Sequence, residues 1–237
     1  MTELVGPPKV WRPYLTLALV LGLLAWQLYV SGGSGNATAP VLAQYGARKA
    51  NLGFPQAPWR LMASVFLHYG WMHLVSNLVV IAAWGACLEK TLGRLEMLAL
   101  FLLAGFWGSL ASDLQGPNAL GMGASGAGFA MITAVLVLAL LGKEWSRWQG
   151  EAGRWLGVSV AAMALNALSA IGFANIIQGA RLDHWAHGGG ALCGLLLGLT
   201  AGLAGERRSR PVFWGTAAVL AGVAVAVVAS RPANPFA

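Results

Sequence analysis

The chain has 237 residues, 57% of them hydrophobic and only 10% charged, with a mean hydropathy of +0.65. A soluble domain carries roughly 25% charged residues, so there are too few charges here to coat a water-facing surface, and a soluble domain is excluded. The formal net charge of +7 would suit nucleic acid, but its distribution along the chain answers to a bilayer instead.

Spanning a membrane takes about 20 mostly apolar residues per helix. Runs of that kind lie near 13–31, 72–88, 95–112, 124–142, 154–174, 184–204 and 211–229, which predicts seven transmembrane helices with little chain left over. The 32 glycines suit close helix contact in lipid, where small residues let backbones approach. Residues 1–12 form a short polar tail. The first run, Tyr14 to Val30, follows basic residues and precedes a weak cleavage-like Ala37-Thr38-Ala39. It is longer than the apolar core of a signal peptide, so a retained helix is expected.

The stretch 32–71 does not span. It opens at Ser31-Gly-Gly-Ser-Gly-Asn36, which predicts a flexible linker. Phe54, Trp59, Tyr69 and Trp71 follow. A loop bathed in water would not carry that aromatic load, so it is expected to lie in the membrane interface. Within it, Arg60 beside Trp59 can donate to loop carbonyls and anchor the loop among headgroups.

At the start of the second run, His73 and Asn77 are four residues apart and share one helix face. Both can donate hydrogen bonds. Asp113 to Gly123 holds Gly116-Pro117-Asn118 and further glycines, which predicts a non-helical approach to the fourth run. Irregular backbone at membrane depth is tolerated only beside protein or a water-filled cavity, so a cavity is expected next to Ser125. Gly123-Ala124-Ser125-Gly126 then turns loop into helix. Glycines permit a tight turn, and a helix start offers unpaired N–H groups and a positive dipole end. Gly126, Ala130 and Ala134 make a stripe of small residues suited to packing.

The sixth run opens Asp183-His184-Trp185-Ala186-His187-Gly188-Gly189-Gly190. Gly190, Gly194, Gly198 and Gly202 repeat every four residues and bare one helix face. His187 lies near that face, so it points at the close partner. If that partner is the fourth run, His187 meets Ser125 and can act on it as a general base. Asp183 stands four positions back, at the helix edge, so a dyad is expected rather than a triad. Cys87 and Cys193 lie inside apolar runs with no paired spacing. His68, His73, His184 and His187 fit no zinc signature and no carboxylate joins them, so no metal is expected.

Ten basic residues (Lys9, Arg12, Lys90, Arg94, Lys143, Arg147, Arg154, Arg207, Arg208, Arg210) fall in alternate loops, against five (Arg48, Lys49, Arg60, Arg181, Arg231) on the opposite side. By the positive-inside rule the N-terminus is cytoplasmic. The starts of the second, fourth and sixth runs, and the C-terminus, are then outside.

Taken together, Trp59-Arg60, His73-x-x-x-Asn77, Gly123-Ala124-Ser125-Gly126 and Ala186-His187 with its glycines resemble the rhomboid intramembrane serine proteases. The resemblance covers about residues 14–204, and the seventh run resembles the extra C-terminal helix of some rhomboids. It implies an all-α fold: a six-helix catalytic core at 13–204, including the interfacial loop 32–71, preceded by the tail 1–12 and followed by a seventh helix and short tail at 205–237. It implies Ser125 as nucleophile and His187 as general base and acid, with His73, Asn77 and the Ser125 N–H as oxyanion hole. Gly123 and Gly126 support the serine. Phe129 stands where the family often has a tyrosine stacked on the histidine. The resemblance further implies single-pass transmembrane proteins as substrates, cut near the outer end of their helix, and a lateral gate around helix five and Gly172 to Arg181.

Two other readings compete. One is a silent rhomboid-like protein that binds or chaperones clients; such relatives lose the serine or histidine, and this chain keeps both. The other is a transporter, but the polar groups cluster at one depth and no acidic residue lies deep in a span. No cofactor and no nucleic acid partner are expected. Size and the lack of an organelle signal suggest a bacterial plasma membrane. The sequence names neither a particular substrate nor an oligomeric state.

Overall fold

A computed structural model describes residues 12–49, 52–115, 120–141, 161, 183–205 and 208–230. Among these residues the fold is all-helical, without strands. The helices are α1 (Tyr14–Val30), α2 (Ala39–Gln44), α3 (Arg60–Ala63) with a 3₁₀ turn at Ser64–Phe66, α4 (Trp71–Thr91), α5 (Arg94–Leu114), α6 (Ser125–Leu141), α7 (His184–Leu203) and α8 (Ser209–Ala229). Four of them, α4, α5, α7 and α8, are long and apolar enough to cross a bilayer. The apolar helices α1 and α6 have 17 residues each, about 25 Å at 1.5 Å per residue. The fifth expected span, 154–174, apart from residue 161, and the expected gate at Gly172 to Arg181 lie outside the described residues.

Contacts along the helices give their directions. Positions facing successive residues of α6 climb α7 in step: Gly190 lies against Gly126, Gly194 against Ala130 and Gly198 against Ala134. These two helices therefore run parallel, and the glycine ladder meets the small-residue stripe as its spacing suggests. In the same sense Gly123, just before α6, faces His73, Gly128 faces Val80 and Met131 faces Gly85, so α4 is parallel to α6. The C-terminal part of α5, with Trp107, Gly108 and Ala111, packs on Ala186 and Gly189 at the start of α7, so α5 runs the opposite way. The beginnings of α4, α6 and α7 thus share one end of the bundle. Trp84, Phe101, Met97, Leu23 and Phe213 fill its core, while Leu21, Leu192, Val219 and Val225 face outward, as lipid contact allows.

Buried carboxylates tie the other end. Glu89 on α4 accepts from the N–H of Leu15 (3.2 Å) and Thr16 (2.8 Å) and from the Thr16 hydroxyl (2.7 Å). It supplies acceptors for first-turn donors of α1 that no helix can satisfy internally, and its charge complements the dipole. Glu96 on α5 accepts from Arg210 Nε at 2.7 Å and from the Trp214 indole at 2.9 Å. Those two bonds, together with buried Phe213 and the Thr216 hydroxyl donating to Thr200 Oγ1 at 3.0 Å, hold the mostly exposed α8 to the bundle.

Two local expectations need correction. The segment Ser31 to Asn36 is no free linker: Gly35 N–H donates to Ser31 Oγ, the Gly35 carbonyl accepts from Gln27 Nε2, and the Ser34 carbonyl accepts from the Trp71 indole. Gly35 has φ +76° and its missing Cβ would fall inside the Trp71 ring, so glycine serves contact there rather than freedom. Helix α5 also continues through Asp113 to Leu114, where the sequence predicted loop. The Asp113 carboxylate accepts from Arg48 and from the Phe54 N–H, and a satisfied buried carboxylate gives the helix no reason to stop.

Candidate active site

Ser125 is the first residue of α6 and His187 the fourth of α7. The approach to Ser125 is held by backbone: Gly121 forms an antiparallel bridge with Arg48, and Gly123 donates its N–H to the Ser64 carbonyl at 2.9 Å. Gly123 has φ +114°, and a Cβ there would sit 2.6 Å from the His73 ring and 3.6 Å from Asn77 Nδ2. Only glycine lets the chain turn that closely past both side chains. The helical ladder opens with Gly128 N–H to Ala124 O, so the N–H groups of Ser125 to Ala127 have no intrahelical acceptor.

His187 is seated by its helix. The carbonyl of Ala186 lies against two bare patches, 2.6 Å from where a Cβ on Gly108 would be and 2.9 Å from one on Gly126. This brings the start of α7 down between α5 and α6. His187 Nε2 then lies 2.9 Å from Ser125 Oγ. When the hydroxyl donates, Nε2 is the acceptor and Nδ1 carries the proton. Phe129, one turn after Ser125, stacks on the imidazole with centroids 4.6 Å apart and 22° between planes.

Among the described residues no hydrogen bond joins Asp183 to the imidazole. Its Oδ1 accepts from Ala186 N–H at 2.9 Å, capping α7, and its Oδ2 accepts from Ser112 Oγ at 2.6 Å and from Arg48 at 3.3 Å. Serine and histidine thus form a pair, without a carboxylate on the ring among the described residues.

His73 and Asn77 are buried on α4 beside Gly123. His73 Nδ1 and Asn77 Nδ2 have no hydrogen-bond partner among the described residues. Tyr69 stacks on His73 at 4.4 Å, and His68 meets it edge-on at 5.0 Å. The Asn77 amide, and His73 Nδ1 in the tautomer that protonates it, can bond a developing negative charge beside Gly123 without first breaking other bonds.

Trp59 and Arg60 stand away from this cluster. Arg60 Nη1 donates to the carbonyls of Ala43 (2.6 Å) and Ala47 (2.8 Å), and its guanidinium lies 4.6 Å over the Trp59 ring. They fasten α2 and its following turn to α3. Sequence reasoning missed Arg48, which counted there only toward topology. It is buried in a net of polar bonds joining Ser64, Ser109, Asp113 and Asp183. A cation in a loop otherwise rich in apolar side chains was the available signal.

The helical bundle and its paired serine and histidine define a multi-pass integral membrane protein with a polar site at one end. A family model, the Rhomboid domain, matches residues 55–204. The chain is 32% identical over 184 residues to RHOMBOID-like protein 5 of Arabidopsis thaliana, covering 76% of this chain and 55% of that protein. It is 30% identical over 190 residues to Rhomboid protease GluP of Bacillus subtilis (strain 168), covering 80% and 34%. It is 26% identical over 230 residues to Rhomboid-like protease 1 of Toxoplasma gondii, covering 93% and 74%. The chain belongs to the rhomboid family. It spans about half the length of the Arabidopsis relatives it matches.

Proposed function

We propose that the chain is an intramembrane serine endopeptidase that cuts transmembrane segments of single-pass proteins. The observation that carries this reading is the 2.9 Å approach of Ser125 Oγ to His187 Nε2, at the end of the bundle where α4 and α6 also begin. Family membership supports it, and the similar proteins of Bacillus subtilis and Toxoplasma gondii bear the name protease.

In this mechanism Ser125 Oγ attacks the scissile carbonyl while His187 Nε2 takes the hydroxyl proton. The oxyanion is received by Asn77 Nδ2, by an N–H of His73 and by the Ser125 N–H, which has no intrahelical acceptor. Collapse breaks the C–N bond, and the leaving amine takes its proton from His187. Water, deprotonated by the same histidine, then hydrolyses the acyl-enzyme. Phe129 holds the imidazole plane by stacking but lacks a hydroxyl with which to bond it. A substrate helix must unwind before its amide can be attacked, which favours small and helix-breaking residues near the cut. The dyad needs no cofactor for these steps.

Residues 13–204 would carry the catalysis, with 205–237 as an added helix and tail. The basic-residue asymmetry favours a cytoplasmic N-terminus and a site toward the outer face of the membrane; a bacterial plasma membrane is proposed from the size of the chain.

The test is labelling of the detergent-purified protein with a fluorophosphonate, a probe of activated serines. Labelling is expected in the parent and absent from Ser125→Ala and His187→Ala. A folded parent that resists the probe, and that leaves a panel of single-pass substrates uncut in liposomes, would overturn the proposal.

A further inference from the structure

We infer that Arg48 is a positioning residue that keeps Ser125 and His187 in register, acting on one through its main chain and on the other through its side chain. The consequence for rate rests on the protease reading; the geometry does not.

The main-chain half is the bridge to Gly121. Arg48 N–H donates to Gly121 O at 2.9 Å, and Gly121 N–H donates back to Arg48 O at 2.8 Å. Gly121 stands four residues before the nucleophile. Its missing Cβ would come within 2.8 Å of Arg48 Nη2, so the guanidinium lies directly beneath the lead-in to Ser125.

The side-chain half reaches α7. The Arg48 side chain is 3% exposed. Nε donates to Ser64 Oγ at 3.0 Å, and Nη1 donates to Ser109 O at 2.9 Å and to the Asp113 carboxylate. Nη2 reaches Asp183 at 3.3 Å. Asp183 caps the helix that carries His187, and Ser64 offers its carbonyl to Gly123. One guanidinium therefore joins the strap before the serine, the body of α5 and the first turn of the histidine's helix.

Charge and shape make the assignment specific. A buried cation persists only with close anionic and hydrogen-bonding partners, and these come from three separate segments. Guanidinium bonds in several fixed directions at once, whereas an ammonium is a point charge. A displacement of about 1 Å between reacting groups can cost about 100-fold in rate, so a link that fixes both sides of the dyad acts on turnover.

The experiment compares the full-length parent with Arg48→Gln, Arg48→Lys and Asp183→Asn in detergent. Asp183→Asn keeps a capping acceptor but gives up the charge facing Arg48, so it carries the test if Arg48→Gln fails to fold. Rates are taken per folded molecule, with kcat and KM separated on a membrane substrate. A fall in kcat of about 100-fold for Arg48→Gln, a smaller fall for Asp183→Asn, partial recovery in Arg48→Lys and little change in KM are expected. Loss of melting temperature with unchanged kcat per folded molecule would mean that Arg48 only stabilises, and would overturn the assignment.

A second readout needs no proteolysis. In a Ser125→Cys background, the pH profile of reaction with methyl methanethiosulfonate reports the imidazole beside the thiol, with His187→Ala as control. Adding Arg48→Gln should move that profile toward the control. An unmoved profile sinks the positioning role. A moved profile in a protein whose serine form ignores fluorophosphonate keeps the positioning role and removes the protease reading.

Discussion

Ser125 begins α6, where the first N–H groups have no intrahelical acceptor, and His187 reaches it across a single hydrogen bond. With no carboxylate bonded to the imidazole among the described residues, the proposed reaction depends on that bond and on the donors of His73 and Asn77 beside Gly123. Ser125→Ala or His187→Ala should therefore abolish cleavage, measured on a purified single-pass substrate in liposomes. Asn77→Ala should act less severely. One lost oxyanion donor costs about 3–4 kcal/mol at most in soluble enzymes, and His73 and the backbone can share its load. The aromatic stack is a smaller effect. Phe129 lies 4.6 Å from the imidazole centroid, and an aromatic pair is worth about 0.5–1.5 kcal/mol. Phe129→Ala should lower kcat up to about tenfold by that figure, while Phe129→Tyr, which keeps the stack, should stay near the parent.

Helix contact in this bundle is governed by missing side chains. A Cβ added at Gly194 would fall on the Ala130 carbonyl and backbone, which cannot step aside as a flexible side chain would. Gly194→Ala should then separate α7 from α6 and lose about 1–3 kcal/mol, the usual range for overpacking, read from thermal unfolding in detergent. Gly222 on α8 has nothing within 4 Å of the same construction, so Gly222→Ala should leave the midpoint unchanged or slightly raised. The pair of variants separates crowding at the ladder from a general effect of replacing helical glycine. The carboxylates Glu89 and Glu96 show the opposite device, in which a buried charge is kept because it finishes a neighbouring helix or holds its arginine and tryptophan.

Acid sensitivity belongs to the whole molecule. His68, in the loop before α4, is fully buried, and burial, aided by the neighbouring His73, holds its pKa well below the ordinary histidine range. The folded state keeps it neutral, while the unfolded chain binds a proton below about pH 6.5. The unfolded state then holds more protons, so the stability associated with His68 is complete above that pH and declines as pH falls below it, by up to about 1.4 kcal/mol per unit. Melting of the parent should weaken on acidification below about pH 6.5, and less steeply in His68→Gln. If both variants show the same acid slope, His68 is not the group responsible. The shared direction of α4, α6 and α7 is also a property of the assembled bundle, since it gathers their first turns at one end.

Hydrophobic run lengths and glycine periodicity are local properties, so the sequence alone determined an all-α membrane protein, where α1, α4, α5, α6, α7 and α8 lie, and which faces of α6 and α7 can touch. The motifs of Trp59-Arg60, His73, Asn77, Ser125 and His187 were legible for the same reason: each is a short pattern at helical or turn spacing. Only tertiary structure decided the distances among them, the tethering of Ser31 to Asn36, the continuation of α5 through Asp113 to Leu114, and the net around Arg48. Arg48 meets Asp113 and Asp183 from 65 and 135 residues away. No local spacing encodes such a meeting; it exists because folding takes these charges out of solvent together, and a charge so placed has to find its partners there.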